Sequence, residues 1–217
     1  MEYFLGTDSS DRVFFNIYDQ TSGNRTGRMY GTSLTSYEGK WIYLASTYDG
    51  SGSNTGIKLY LNGTRVDNTS IGAGSYTAMH NTTEPLYIGR YASSYANGEI
   101  SNVAIFNQNI SSEDVLYLYN GGTPQTNISF EPVSWYKLDN LTTGIQDSGS
   151  ASNNGTNNGA TAVSSSVAVD QWNFDNVSQA QTPNWSSALD FDGSSDYINC
   201  GSDSSLSPSS FTFSVWS

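Results

Sequence analysis

Only one cysteine, Cys200, occurs among the 217 residues, so no disulfide within the chain can hold a fold together. Its expected place is in a strand, as a small apolar side chain. Positive charge is almost as scarce. Eight Lys and Arg stand against 20 Asp and Glu, for a formal net charge of −12. That balance excludes a nucleic-acid partner, because binding a phosphate backbone depends on Lys and Arg displacing its counterions. No apolar run approaches the ~20 residues of a membrane-spanning helix, so no membrane partner is expected. The opening "MEYFLGTDSS" has neither a basic start nor a long apolar stretch, and no signal peptide is expected from it. Histidine occurs once, at His80. The triplets that begin at Asn62, Asn68 and Asn109 fit the N-x-S/T pattern, but a chain this full of Asn, Ser and Thr produces them by chance.

What is present points to strands. Aromatic residues make up 13% of the chain, as do charged ones, and there are 15 Tyr and 21 Gly. A profile rich in Tyr, Thr, Ser, Asn and Gly favours strands joined by turns over helices. "DRVFFNIYD" puts Val13, Phe15 and Ile17 on one face, and "KWIYLASTYDG" alternates likewise. "GIKLYLNGTRV" aligns Ile57, Leu59 and Leu61, then offers Asn62-Gly63, the residue pair of a type I′ hairpin turn. "PLYIGRY" and "EISNVAIFN" read as two more strands, the second with Ile100, Val103, Ile105 and Phe106 as core candidates. "NISSEDVLYLYNGG" is different. Ser111 stands three residues before Asp114, an N-cap arrangement, and Gly121-Gly122 is the expected C-cap of one short helix.

Residues 123–131 read as a linker, after which "PVSWYKLDN" resumes strand texture. Residues from about 140 to 187 are dominated by Asn, Ser, Gly, Thr and Ala, a composition shared with disordered segments. Yet "ATAVSSSVAVD" has the β-branched residues of a strand, and Trp172, Phe174 and Trp185 would be out of place in a free tail. "ALDFDGSSDYINC" and "FTFSVW" alternate again. No motif of residues 1–122 recurs in 132–217, so the chain carries one domain's worth of motifs rather than two copies.

The pattern of "KWIYLASTYDG", "IKLYLNGTRV", "PLYIGRY" and "GEISNVAIFN" with its closing helix resembles the second half of the laminin-G-like, concanavalin A-like lectin and glucanase jelly-roll family. "SWYKLDN", "DSGS", "NNGT", "ALDFDGSSDYINCG" and "SFTFSVW" resemble the first half. The resemblance implies an all-β fold, a two-sheet antiparallel jelly-roll sandwich with one short helix. The halves stand in swapped order, as a circular permutation or a window cut from a tandem array would leave them. Residues 1–122 and 132–217 are expected to build one sandwich together, as a monomer or a strand-exchanged dimer, with Phe211–Trp216 finding its partner strands in 1–122.

Glucanases of this fold use acidic residues in an E-x-D-x-x-E spacing that sets nucleophile and acid on one strand face. That spacing does not occur here, His80 has no nucleophile beside it in sequence, and no enzyme activity is expected. The resemblance also implies a structural calcium, for which Asp147, Asn154 and Asn102 are the candidate oxygen ligands. Turn chemistry is the alternative reading of those residues. Carbohydrate binding, the family's common use, needs exposed aromatic platforms. Tyr76 is a further loop aromatic, and Trp172, Trp185, Tyr91 and Tyr95 are the candidates for that role. The expected function is a glycan- or surface-recognition module of a larger extracellular or virion-associated protein. A structural spacer without a ligand pocket is the second reading, and a glycoside hydrolase a remote third.

Overall fold

The computed structural model describes residues 2–163 and 188–217. The continuation of "ATAVSSSVAVD" past Val163, and with it Trp172, Phe174 and Trp185, lies outside the described residues. In chain order the strands are β1 (Tyr3–Thr7), β2 (Val13–Asp19), β3 (Asn24–Met29), β4 (Tyr43–Tyr48), β5 (Ile57–Leu61), β6 (Thr64–Arg65), β7 (Thr69–Ala73), β8 (Tyr87–Ile88), β9 (Arg90–Tyr91), β10 (Ser94–Tyr95) and β11 (Asn97–Phe106). Helix α1 (Ser112–Tyr119) follows, then β12 (Ser134–Tyr136), β13 (Thr156–Asn158), β14 (Thr161–Val163), β15 (Ala188–Asp192), β16 (Tyr197–Asn199) and β17 (Phe211–Trp216).

Two layers result. The back layer is one sheet in the order β14-β15-β11-β17-β4-β5-β6, with β12 also paired to β11. The front layer is split into β1-β2-β3-β7 and β13-β16-β8. All of these pairings are antiparallel. The apolar faces meet between the layers. Phe15 and Ile17 of the front pack with Ile57, Leu59 and Phe211 of the back. At the other end, Ile88, Ile198 and Cys200 pack with Val103, Ile105, Leu189 and Phe191. Burial pushes the Cys200 thiol up to about 12, so it stays protonated among these side chains.

The residue Phe211–Trp216 pairing answers the sequence expectation. β17 lies between β4 and β11, six residues in register with β4 from Phe211↔Tyr48 to Trp216↔Tyr43. Strands from before residue 122 and after residue 132 therefore share one sheet, with β17 inserted between two earlier strands. The segment 123–131 contains no strand, yet it is anchored: Ile128 and Phe130 pack against the outer face of the back layer.

That outer face explains why β4 is buried at every position. Helix α1 lies over it, placing Val115 and Leu118 on Tyr43, Tyr60, Phe106 and Trp216. Tyr119 stacks on Trp216 at 5.8 Å between ring centroids. Ser111 caps the helix as expected, its hydroxyl accepting from Asp114 N at 3.1 Å while Asp114 Oδ2 accepts from Ser111 N. The C-cap differs from expectation. Asn120, at φ 47°, takes the left-handed position ahead of Gly121, because the Asn side chain tolerates that conformation.

Strand β11 contains a bulge. Ile100, Val103 and Ile105 all face the interior, although a spacing of three breaks the alternation of a regular strand. Between Ser101 and Ala104 the register against β17 shifts by one residue. Asn102 occupies the extra position at φ 49°, and the faces exchange there.

Candidate functional site

Of the residues expected to hold calcium, Asp147 and Asn102 bond to Trp135, and Asn154 bonds to Asp147. Asp147 Oδ1 accepts from Trp135 N at 2.7 Å and from Gly149 N at 2.8 Å, and Oδ2 accepts from Asn153 N at 2.7 Å. Asn154 Oδ1 accepts from Asp147 N at 2.9 Å. Asn102 Oδ1 accepts from Trp135 Nε1 at 3.2 Å. Each candidate oxygen thus faces an N–H donor, and together they fix the turn after β12 and the bulge of β11. This arrangement fits a hydrogen-bonded turn better than an ion cage. Among the described residues no group of three His, Cys, Asp or Glu is placed to hold a metal.

His80 is engaged elsewhere. Its Nε2 lies 2.9 Å from Asp19 Oδ1, and its backbone N donates to Glu2 Oε1 at 3.2 Å. Burial works to raise the Asp19 carboxyl. Donors from Ser22, His80 and Thr21 outweigh it and hold that group down to about 2. The result is a clasp that ties the loop around residue 80 to β2.

Of the aromatic candidates only Tyr95 joins an aromatic cluster at one end of the front layer, while Trp172 and Trp185 lie outside the described residues. Arg90 sits at the centre, its Cζ 4.8 Å from the Tyr197 ring centroid, 4.9 Å from Tyr87 and 5.9 Å from Tyr95. These distances fall within cation–π range. Tyr87 meets Tyr197 edge-on at 5.5 Å. The guanidinium is held by one fixed bond, Nε donating to Ala92 O at 3.0 Å. All four side chains are half-buried.

Gly89 creates this cluster. It joins β8 to β9 at φ 82°, and a Cβ there would stand 2.4 Å from the Phe191 ring. Strict alternation would put Tyr87 and Arg90 on opposite faces, but the turn at Gly89 returns Arg90 to the side of Tyr87. For that reason the sequence pattern pointed to Tyr95 but not to Arg90, Tyr87 or Tyr197. The Gly-Arg pair within "PLYIGRY" was the available signal.

Tyr91 has a different neighbourhood. One face stacks on Phe4 at 4.2 Å, and its hydroxyl is 3.5 Å from that of Tyr18. Tyr76 packs against the core cluster beneath the front layer. A groove of about 510 Å³ opens between β1 and β8, and Tyr87, Arg90, Tyr91 and Tyr95 line it.

The architecture and the strand motifs have a counterpart among known families. The sequence pattern of the concanavalin A-like lectin/glucanases superfamily matches residues 2–116. The chain belongs to that superfamily. No curated protein and no solved structure matches it. Residues matched by the superfamily include Tyr87, Arg90 and Tyr95, so this part of the aromatic cluster lies within the matched span. Tyr197, which closes the cluster, comes from outside the matched span.

Proposed function

We propose that this chain is a non-catalytic recognition module that binds glycan through the Arg90 cluster. The observation that supports this most directly is the placing of Arg90 among Tyr87, Tyr95 and Tyr197 on a half-exposed surface. Tyrosine rings offer apolar faces to the C–H side of a pyranose, and a guanidinium supplies donors in a fixed fork for sugar hydroxyls. Among the described residues, only the Nε of Arg90 is committed to a hydrogen bond, which leaves the terminal nitrogens for a ligand. The lack of an E-x-D-x-x-E spacing and the commitment of His80 to Asp19 favour binding without hydrolysis.

In this reading the chain holds the two halves of a jelly roll in swapped order, serving a larger extracellular or virion-associated protein. The interleaving of β17 between β4 and β11 supports it. The test is a glycan array probed with the purified protein, in calcium and in EDTA. Tyr197→Ala and Tyr95→Ala are expected to weaken retention at least tenfold for the sugars bound, with calcium making no difference. Trp172→Ala and Trp185→Ala tell whether residues 164–187 contribute. An array without any retained sugar, or a Tyr197→Ala variant that binds unchanged, sinks the glycan reading.

A further inference from the structure

The central strand of the back layer is covered on the wrong side. On β17, Thr212, Ser214 and Trp216 face outward and are buried, at 0%, 3% and 2% exposure. Phe213 and Val215 face inward, where a sandwich hides its apolar side chains, yet both are only partly buried. The cause is the split in the front layer. Above these residues lies the groove of about 510 Å³, walled by β1 on one side and β8 on the other.

Both walls are strand edges. Glu2 O accepts from Tyr18 N at 2.8 Å, which fixes the alternation along β1. Tyr3, Leu5 and Thr7 therefore turn their N–H and C=O groups away from β2 and toward the groove. On the opposite wall, Leu86 N donates to Gly201 O at 2.8 Å and Leu86 O accepts from Cys200 N at 2.9 Å. The next residue, Tyr87, thus presents its backbone groups to the groove from the other side. Among the described residues none of these edge groups has a backbone partner.

We infer that the groove receives an extended strand from a partner polypeptide, which completes the front layer by pairing with β1 and β8. Apolar residues at every second position of the incoming strand cover Phe213 and Val215, and the residues between them face solvent. The partner strand is basic. Glu2, Glu84 and Asp203 line the groove against the single cation Arg90, while Asp8, also in its lining, is paired with Arg12 at 2.6 Å. Glu2 is only 5% exposed, and among the described residues its Oε2 has no hydrogen-bond partner. A second copy of this chain, which also carries a net charge of −12, is the wrong sign for that lining.

The test uses a synthetic octapeptide, Ac-KTVTITVK-amide, whose apolar residues share one strand face, titrated into the whole protein by fluorescence anisotropy. A second peptide is N-methylated at alternate positions, and a third has glutamate in place of both lysines. The first peptide is expected to bind, and the other two at least about tenfold more weakly, because each has lost backbone donors or complementary charge. Leu5→Pro removes an N–H that faces the groove without breaking a β1–β2 bond, and it is expected to reduce binding by the same factor. Should that variant fail to fold, amide exchange in the unmodified protein reads the same bond: peptide binding is expected to slow exchange at Tyr3, Leu5 and Thr7. Tyr197→Ala, the variant that tests the glycan cluster, leaves peptide binding unchanged, so the two proposals fail separately. Equal binding of the N-methylated peptide, or no binding of the first, overturns the inference. A concentration-dependent dimer that Leu5→Pro returns to monomer also overturns it, by making the occupant a second copy.

Discussion

Asp67 is the acid on which the front layer's outer edge depends. Its side chain is fully covered and accepts from Arg28 and Arg65, with N···O separations of 2.9 and 2.8 Å, and from Leu59 N at 3.1 Å. Burial works against the charged carboxylate, but the Arg65, Leu59 and Arg28 donors outweigh it and keep the group ionised below the usual carboxylate range. Asp67→Asn leaves two guanidinium groups without their anion and is expected to cost about 2–3 kcal/mol, somewhat under the value for a deeply buried pair because Arg65 is half-exposed. The pH dependence follows from the direction of the shift. A lowered folded value means that the contribution is complete above about pH 4, the unfolded carboxylate range. It is lost as pH falls from there through the folded value. Urea midpoints of the wild-type and Asp67→Asn proteins are therefore expected to differ near neutrality and to converge in acid. A gap that stays constant across the acid range would contradict the ion-pair account.

At the scale of single elements, the link between β8 and β9 bears the most consequence for the proposed site. Gly89→Ala brings a Cβ against the Phe191 ring in a backbone conformation at φ 82° that alanine resists. A loss of about 2 kcal/mol is expected from strain and overpacking combined. Glycan retention should fall with it, since Arg90 then leaves its tyrosines; a variant with full stability and full retention would show that the turn does not place the cluster. Local signals of this kind differ in how far the sequence exposes them. The Asn62-Gly63 turn was legible because both residues need positive φ, and they have it, at 50° and 76°. The α1 cap was legible because Ser111 and Asp114 act only on each other. The bulge in β11 was hidden: the spacing of Ile100 and Val103 broke the alternation, but nothing local to the sequence said that Asn102 would absorb the extra residue. Asp147 was visible as a loop acid, whereas its partners, Trp135 N and Asn153 N, come together only when β12 has paired with β11. The Arg90 cluster draws on four strands, and the one that carries Tyr197 is too far along the chain for any local window to include it with the others.

For the whole molecule, the strand order allows a firm expectation. β17 contacts both β4 and β11 along its length, so it cannot open without dividing the back layer. Amides of Phe211–Trp216 are expected to exchange together with those of β4, at the slowest rate in the protein, through a single cooperative opening. Hydrogen exchange resolved by residue checks this, and β17 exchanging well ahead of β4 would show instead that the two segments of the chain fold as separate units. The all-β architecture itself was readable from composition and alternation. The split in the front layer was not, because an edge strand and an interior one look alike until their neighbours are known.

The position of β17 also sets a timetable for synthesis. When β11 leaves the ribosome, its principal neighbour is still more than 100 residues from being made. At cellular translation rates this interval is on the order of ten seconds, far longer than hairpin formation takes. During it, β4 and β11 each present an open edge and an uncovered apolar face. The nascent chain therefore has to be sheltered, by chaperones or by transient non-native pairing, until the strand that lies between them arrives.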